Sequence, residues 1–261
     1  MDEPLLRLER VRAGCGDSLV AFSGGVDSTL LLRVAHDVLG SRVAAVTAVS
    51  PSLADEERAE TVRLARDLGV EHRLVETGEL DDPGYVANDG RRCYHCKREL
   101  FRVLQRLATE AGGRTLLYGA ILDDLGDERP GMQAAAEARV RAPLLEAGFT
   151  KETTRALSRQ LGLPTWDKPA MACLASRLPI GTRVSAETLR RVDHAEAAVR
   201  RLGYRQVRVR VAGSGARLEL DPVDLRRAQQ EPERAKLTAA ILAAGFDAVE
   251  VDPRGYRPGG R

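Results

Sequence analysis

The stretch SLVAFSGGVDSTLLLRVAHDVL, residues 18–39, joins an apolar run to a Ser/Gly turn and then to a helical repeat. SLVAF (18–22) reads as a buried strand and 28–39 as the helix that follows it. Between them Gly24 and Gly25 let the backbone approach an anion closely, with positive φ available. A helix starting there points unpaired N–H groups and the positive end of its dipole at that anion. Ser23 and Ser28 add hydroxyl donors, and Asp27 suits a Mg²⁺ ion beside phosphates. The lysine of G-x-x-x-x-G-K-[ST] is missing, so this is no Walker A loop. An ordinary strand-to-helix turn rich in Ser and Gly is the plainer alternative.

The same alternation extends outward. A short amphipathic helix is expected over 1–14, strands at 42–49, 71–76 and 115–120, and helices at 54–68, 97–111 and 150–161, the last capped by Thr150. Strands alternating with helices of this length predict an α/β fold with a parallel sheet covered on both faces. Ligands of such sheets bind at the carboxyl ends of strands, where strand order reverses. Residues 119–131 (GAILDDLGDERPG) read as a loop at that rim. Residues 162–185 form a connection long enough to suggest function. The pattern then restarts: helix 185–202, strand 205–212, a GSG turn, strand 216–221, a helical stretch to 245 and strand 247–252. We therefore expect one domain over 1–180 and a smaller α/β domain over 181–261, with a mobile tail.

The 261 residues carry 40 Lys+Arg against 38 Asp+Glu, and a net charge of +2 argues for no particular partner. There is no apolar run of transmembrane length, and the acidic, amphipathic start is unlike a signal peptide. Four cysteines in a chain of this size do not make a secreted disulfide framework. These features predict a soluble protein of the reducing cytoplasm.

Cys93 and Cys96 form a C-x-x-C in RRCYHCKREL, which alone fits a redox dithiol, half a zinc site, part of an iron–sulfur site or two core thiols. Cys173, on the long connection, is the candidate third ligand; His95 or His72 would complete a zinc site instead. Cys173 also fits a nucleophile, with Lys168, Arg177 and Arg183 near it in sequence to favour its thiolate, while simple packing is the alternative. Cys15 reads as a small core or surface residue. Asp123, Asp124 and Asp127 make an acidic group on the rim loop. Asp124 fits a Mg²⁺–phosphate role; Asp127 reads as a turn residue. Lys151 begins a helix, where the dipole disfavours an ammonium, a mild hint of phosphate duty. Arg208 and Arg210 alternate on a strand and share one face, as a clamp for an anion or as a solvated sheet face. Glu196, Glu219 and Asp221 are equally readable as metal ligands or plain surface carboxylates.

The SGGVDS turn resembles the PP-loop of ATP pyrophosphatases, which cleave ATP to AMP and pyrophosphate. Together with RRCYHCK, YGAILDDLGDERPG, RAPLLEAGFTK and especially LGLPTWDKPAMACLASRLPIGTRVS, it resembles the LarE family of ATP-dependent sacrificial sulfur transferases over most of the chain. That resemblance implies synthesis of the nickel-pincer nucleotide cofactor: ATP adenylylates a carboxylate of pyridinium-3,5-biscarboxylic acid mononucleotide, and a sulfur nucleophile displaces AMP. It implies that Ser23, Gly24, Gly25, Asp27, Ser28, Asp124 and Lys151 hold ATP and Mg²⁺. Ser176, Arg177, Arg208 and Arg210 would bind the anionic mononucleotide, with Cys173, Asp27 and Arg177 in the chemistry. In one branch of the family a single cysteine gives up its sulfur. In the other, three cysteines hold a 4Fe-4S cluster with an extra sulfide. Cys93, Cys96 and Cys173 favour the cluster. The family also implies a homo-oligomer, in the form of a hexamer, with no nucleic acid or membrane partner. The rival readings are a PP-loop tRNA thiolase, which should carry a more basic surface, and a non-catalytic AMP/ATP sensor.

Overall fold

The computed structural model describes residues 3–125, 130–169 and 172–257. Two compact units divide it: Met1–Ser50, Glu57–Tyr85 and Gly90–Met171 make the first, and Pro51–Glu56, Val86–Asp89 and Ala172–Arg261 the second.

In chain order the first unit carries α1 (Glu3–Ala13), β1 (Ser18–Ala21), α2 (Val26–Leu39), β2 (Val43–Val49), α3 (Asp55–Asp67), β3 (Glu71–Glu76), α4 (Pro83–Ala87), α5 (Arg92–Glu110), β4 (Thr115–Leu117), α6 (Pro130–Glu137), α7 (Pro143–Glu146) and α8 (Lys151–Gln160). The strands form one parallel sheet in the order β3-β2-β1-β4. From β1 the chain builds outward through β2 and β3, then returns to lay β4 on the other side of β1. Strand order therefore reverses between β1 and β4, which makes the ends of these two strands the ligand crevice of the sheet.

Alternate strand residues serve opposite faces, because successive Cβ atoms point opposite ways. Val20, Val43, Ala45 and Leu117 pack on one side with Leu8 of α1, Leu30, Leu31 and Val34 of α2, Leu144 of α7 and Leu157 of α8. Leu19, Ala44, Val46 and Leu116 pack on the other with Phe101 and Leu104 of α5 and Ala134 and Ala135 of α6. Burial on both faces explains why β1 and β2 read as unbroken apolar runs. In α2 the consecutive Leu30, Leu31 and Leu32 are all fully buried, so this helix is enclosed by protein on all sides at that turn.

Two departures from the sequence reading involve candidate site residues. Helix α5 starts at Arg92, not at 97, which places Cys93 and Cys96 on its first two turns. No side chain caps it at Arg91, and this lack of a cap hid the boundary. The rim segment read as a loop over 119–131 contains a 3-10 turn at Leu122–Asp124, and α6 begins at Pro130; Asp127 lies outside the described residues.

The second unit holds α9 (Ala186–Arg201), β5 (Val207–Ala212), β6 (Gly215–Leu220), α10 (Leu225–Gln229), α11 (Glu233–Ala243) and β7 (Val249–Val251). Its sheet runs β5-β6-β7, antiparallel in the first pair and parallel in the second. Helix α9 packs on β5, and α11 packs on α9. The segments 51–56 and 86–89 steady the connection ahead of α9. Leu174 N–H donates to Ser52 O at 2.9 Å, and the buried Asn88 donates through Nδ2 to Pro179 O at 2.7 Å and Thr182 O at 2.9 Å. The tail expected to be mobile is tied down as far as Tyr256, whose N–H donates to Leu220 O at 2.7 Å; residues 258–261 lie outside the described set. Among the described residues no helix is long and apolar enough to cross a membrane.

Candidate active site

The turn after β1 is built as a cradle. Gly24 takes φ +67° and its α-carbon faces Thr61 of α3, where an added Cβ would stand 3.1 Å from Thr61 Cγ2. Gly25 is the N-cap of α2 with extended backbone and no side-chain cap, so the first-turn N–H groups stay turned toward the loop. Ser28 Oγ donates to Gly25 O at 3.3 Å and accepts from Ser23 N–H at 3.3 Å, while the Ser23 and Ser28 hydroxyls lie 3.1 Å apart. These bonds draw the loop closed around its own amides. Behind it, the buried Thr47 hydroxyl donates to Phe22 O at 2.7 Å. Having spent its proton there, Thr47 Oγ1 accepts from His72 Nε2 at 2.8 Å. Burial lowers the pKa of His72, which favours the neutral ring that bonds to Thr47.

The loop after β4 closes on the same point. Gly119 sits so near the start of α2 that a Cβ there would stand 3.0 Å from Ser28 N and 3.1 Å from Asp27 C, so a side chain at 119 would press on the backbone of the cradle. From the 3-10 turn beyond it, Asp124 Oδ2 accepts from Ile121 N–H at 3.1 Å and Asp123 Oδ2 from Lys151 N–H at 2.8 Å. Thr150 caps α8 as the sequence predicts, accepting from Thr153 N–H at 3.2 Å. Lys151 is thereby aimed at Asp27, with Nζ 2.8 and 2.7 Å from the two carboxylate oxygens.

Burial raises the pKa of Asp27, against the pull of Lys151, and the Asp124 charge adds to the rise. Two carboxylates close enough to repel beside an ammonium are suited to a divalent cation, so Asp27 and Asp124 fit a Mg²⁺ ion carried with a polyphosphate. Ser23, Gly24, Gly25, Asp27, Ser28, Asp124 and Lys151 are thus brought to one rim of the first unit. Sequence reasoning missed Thr47 and Gly119 there, and it set Lys168 beside Cys173, whereas Lys168 Nζ donates to Gly24 O of the cradle. The YGA that follows β4 was the one available signal, for Gly119.

In the second unit Cys173 is exposed and stands at the N-cap of a 3-10 turn, Leu174–Arg177. Arg177 is buried, and its Nε and Nη2 meet Glu196 Oε1 and Oε2 at 2.7 and 3.0 Å. Its Nη1 reaches Ala172 O at 2.5 Å, Cys173 O at 2.9 Å and Ser176 Oγ at 3.0 Å. Glu196 is fully buried and also accepts from Arg200 Nη2 at 2.8 Å and Val209 N–H at 3.0 Å, so it is no surface carboxylate. Glu219 is likewise buried and pairs with Arg210 Nε at 2.5 Å. Asp221 caps a 3-10 turn by accepting from Val223 N–H. Arg208 is 3% exposed, which excludes a solvated sheet face at that position. Its guanidinium lies over the Tyr256 ring, and burial with the nearby Arg177 charge lowers its pKa. Arg210 also donates to Ser176 O at 3.1 Å. Arg177, Ser176, Arg208 and Arg210 therefore share one charged network with the Cys173 turn.

Cys93 is exposed and Cys96 half-buried on α5. His95, between them, bonds through Nδ1 to Asp82 at 3.0 Å, and Arg98 joins the same carboxylate at 2.6 Å. Thiols three apart on one helix face suit a soft metal centre in donor chemistry. Among the described residues no group of three or more His, Cys, Asp or Glu is gathered as a metal site.

A polyphosphate cradle after the first strand of a parallel sheet, at its switch point and without a Walker lysine, defines a PP-loop α/β enzyme. No protein-family model matches the chain. An uncharacterized protein of Synechocystis sp. is 46% identical over 256 residues, 97% of this chain and 96% of its own length. Pyridinium-3,5-bisthiocarboxylic acid mononucleotide synthase of Lactiplantibacillus plantarum is 37% identical over 241 residues, covering 92% of this chain and 87% of that protein. A glutamine-hydrolyzing GMP synthase of Aeropyrum pernix is 30% identical over 81% of this chain, though only 44% of its own. The chain belongs to the family of pyridinium-3,5-bisthiocarboxylic acid mononucleotide synthase, LarE.

Proposed function

We propose that this enzyme is an ATP-dependent sulfur transferase that converts a carboxylate of pyridinium-3,5-biscarboxylic acid mononucleotide into a thiocarboxylate for the nickel-pincer cofactor. The observation that carries this reading is the Asp27–Lys151 pair beside the Ser23–Ser28 cradle, in a chain of this family. A carboxylate is a poor electrophile, and adenylylation gives it AMP as a leaving group. The cradle amides, the Ser23 and Ser28 hydroxyls and Lys151 bind the phosphates, and Asp27 with Asp124 holds Mg²⁺ against them. The substrate oxygen attacks the α-phosphorus, pyrophosphate departs with its charge met by these donors, and a sulfur nucleophile then expels AMP.

Ser176, Arg177, Arg208 and Arg210 bind and orient the mononucleotide, Arg177 acting from beneath through the carbonyls around Cys173. Cys93, Cys96 and Cys173 would hold a 4Fe-4S cluster, whose contribution is a transferable sulfide. In its absence Cys173 itself is the sulfur source: its thiolate expels AMP to give a thioester, and loss of the Cys173 α-proton with cleavage of the Cβ–S bond then releases the thiocarboxylate and leaves dehydroalanine. We place the enzyme in the cytoplasm, as a homo-oligomer of hexameric form.

The test is pyrophosphate release by anaerobically purified protein. Release that needs both Mg-ATP and the mononucleotide, and that Asp27→Asn abolishes, is the expected result. Equal release without the mononucleotide would overturn the acceptor assignment, and binding of ATP with no release would mark a nucleotide sensor.

A further inference from the structure

Lys168 is not a conventional surface lysine. Its side chain is 15% exposed, and its Nζ donates to Gly24 O at 3.1 Å and to Glu60 Oε2 of α3 at 2.5 Å. The segment that carries it is fastened to α8. Arg155 donates through Nη1 to Trp166 O and through Nη2 to Lys168 O, each at 2.8 Å. The same helix presents Lys151 to Asp27 from its first residue. One helix thus sets two ammonium groups against the cradle, one at its Gly24 carbonyl and one at Asp27. An ammonium has three donors and no acceptor, and two of the Lys168 donors have partners among the described residues. Glu60 also faces Arg63 at 3.7 Å, so it is not dedicated to Lys168.

We propose that Lys168 is a phosphate ligand of the cradle, and that Glu60 competes with the nucleotide for its ammonium. The proposal rests on reading Ser23–Ser28 as the ATP site. Glu60 offers one carboxylate that it shares with Arg63, whereas a triphosphate offers several charged acceptors to the same three donors. As ATP enters, the Lys168 Nζ passes from Glu60 to a phosphate oxygen while the Gly24 carbonyl keeps its place. Bond making here is electrostatic, with no covalent step.

The alternative is a plain staple between the loop and α3, and the two differ in sign. If Lys168 is a ligand restrained by Glu60, Lys168→Gln weakens Mg-ATP binding by roughly tenfold or more. Glu60→Gln, which frees the ammonium, tightens binding a few-fold, and Lys168→Arg keeps most of the affinity. If the pair is only a staple, Lys168→Gln and Glu60→Gln weaken binding together. Calorimetric titration of the full chain with Mg-ATP, beside urea unfolding of each variant, reads both. Should Lys168→Gln fail to fold, the sign of the Glu60→Gln change decides: tightening supports the proposal, and no change or weakening overturns it. Unaltered ATP affinity in Lys168→Gln overturns it as well. A wild-type chain that does not bind Mg-ATP removes the ATP reading first, and this proposal with it.

Discussion

Gly24→Ala tests the cradle at its tightest point. The residue holds φ +67°, and an L-residue with a Cβ pays about 1–2 kcal/mol to stay there. The new methyl would also stand 3.1 Å from Thr61 Cγ2 and 3.5 Å from Leu64 Cδ1, and Thr61 is fully buried with little room to yield. Overpacking of this kind adds about 1 kcal/mol, at the low end for a single methyl. The expected loss is about 2–3 kcal/mol in urea unfolding, with Mg-ATP affinity reduced because the loop relaxes by moving its amides. The steric share is separable. Thr61→Ser removes the clashing methyl yet keeps the hydroxyl that donates to Arg58 O at 2.8 Å. Gly24→Ala should therefore cost roughly 0.5–1 kcal/mol less in the Thr61→Ser background, read as a coupling energy. A Gly24→Ala protein within about 0.5 kcal/mol of wild type, binding Mg-ATP normally, would refute the loop geometry argued here.

Glu196→Ala leaves the buried Arg177, and Arg200 beside it, without their shared carboxylate; breaking a buried pair costs about 3–5 kcal/mol, measurable by urea unfolding. Asp82 titrates below the usual carboxyl range: burial opposes this, but the Gly84 N–H, His95 and Arg98 outweigh it. Its stabilisation is then fully present above the ordinary value of 3.8 and is lost as pH falls through the lower folded value, so Asp82→Asn should destabilise at pH 7 and converge with wild type in strong acid. Thr150→Ala removes the cap of α8 and should cost about 1 kcal/mol, with weaker ATP binding because Lys151 follows directly.

Much of the first unit was legible because local and global signals agree. SLVAF and RVAAVTAV are apolar throughout since both faces of their strands are covered, and the SGGVDS turn falls where the sheet topology places a ligand. Thr150 announced the start of α8 by cap chemistry, whereas the cap that Ser185 makes on α9 was not read from the sequence. The misses have physical causes. Helix α5 begins on Arg92 without a capping side chain, and its apolar face begins only later in the helix, so its start was read at 97 and the C-x-x-C was left outside it. Glu196 lies in RRVDHAEAAVRR, which reads as a solvated face, and only the fold brings Arg177 and Val209 onto its carboxylate. The Asp27–Lys151 contact joins residues far apart in sequence, and no local pattern carries such a pairing.

The most direct test is mass spectrometry of small molecule and protein together, after anaerobic incubation with Mg-ATP and pyridinium-3,5-biscarboxylic acid mononucleotide. The account predicts a product in which sulfur replaces a carboxylate oxygen, with AMP and pyrophosphate formed in step. Cys173 would remain intact if a bound sulfide is the donor, or be lighter by H₂S if the cysteine is. A mononucleotide recovered unchanged while ATP is bound or consumed would contradict the central claim.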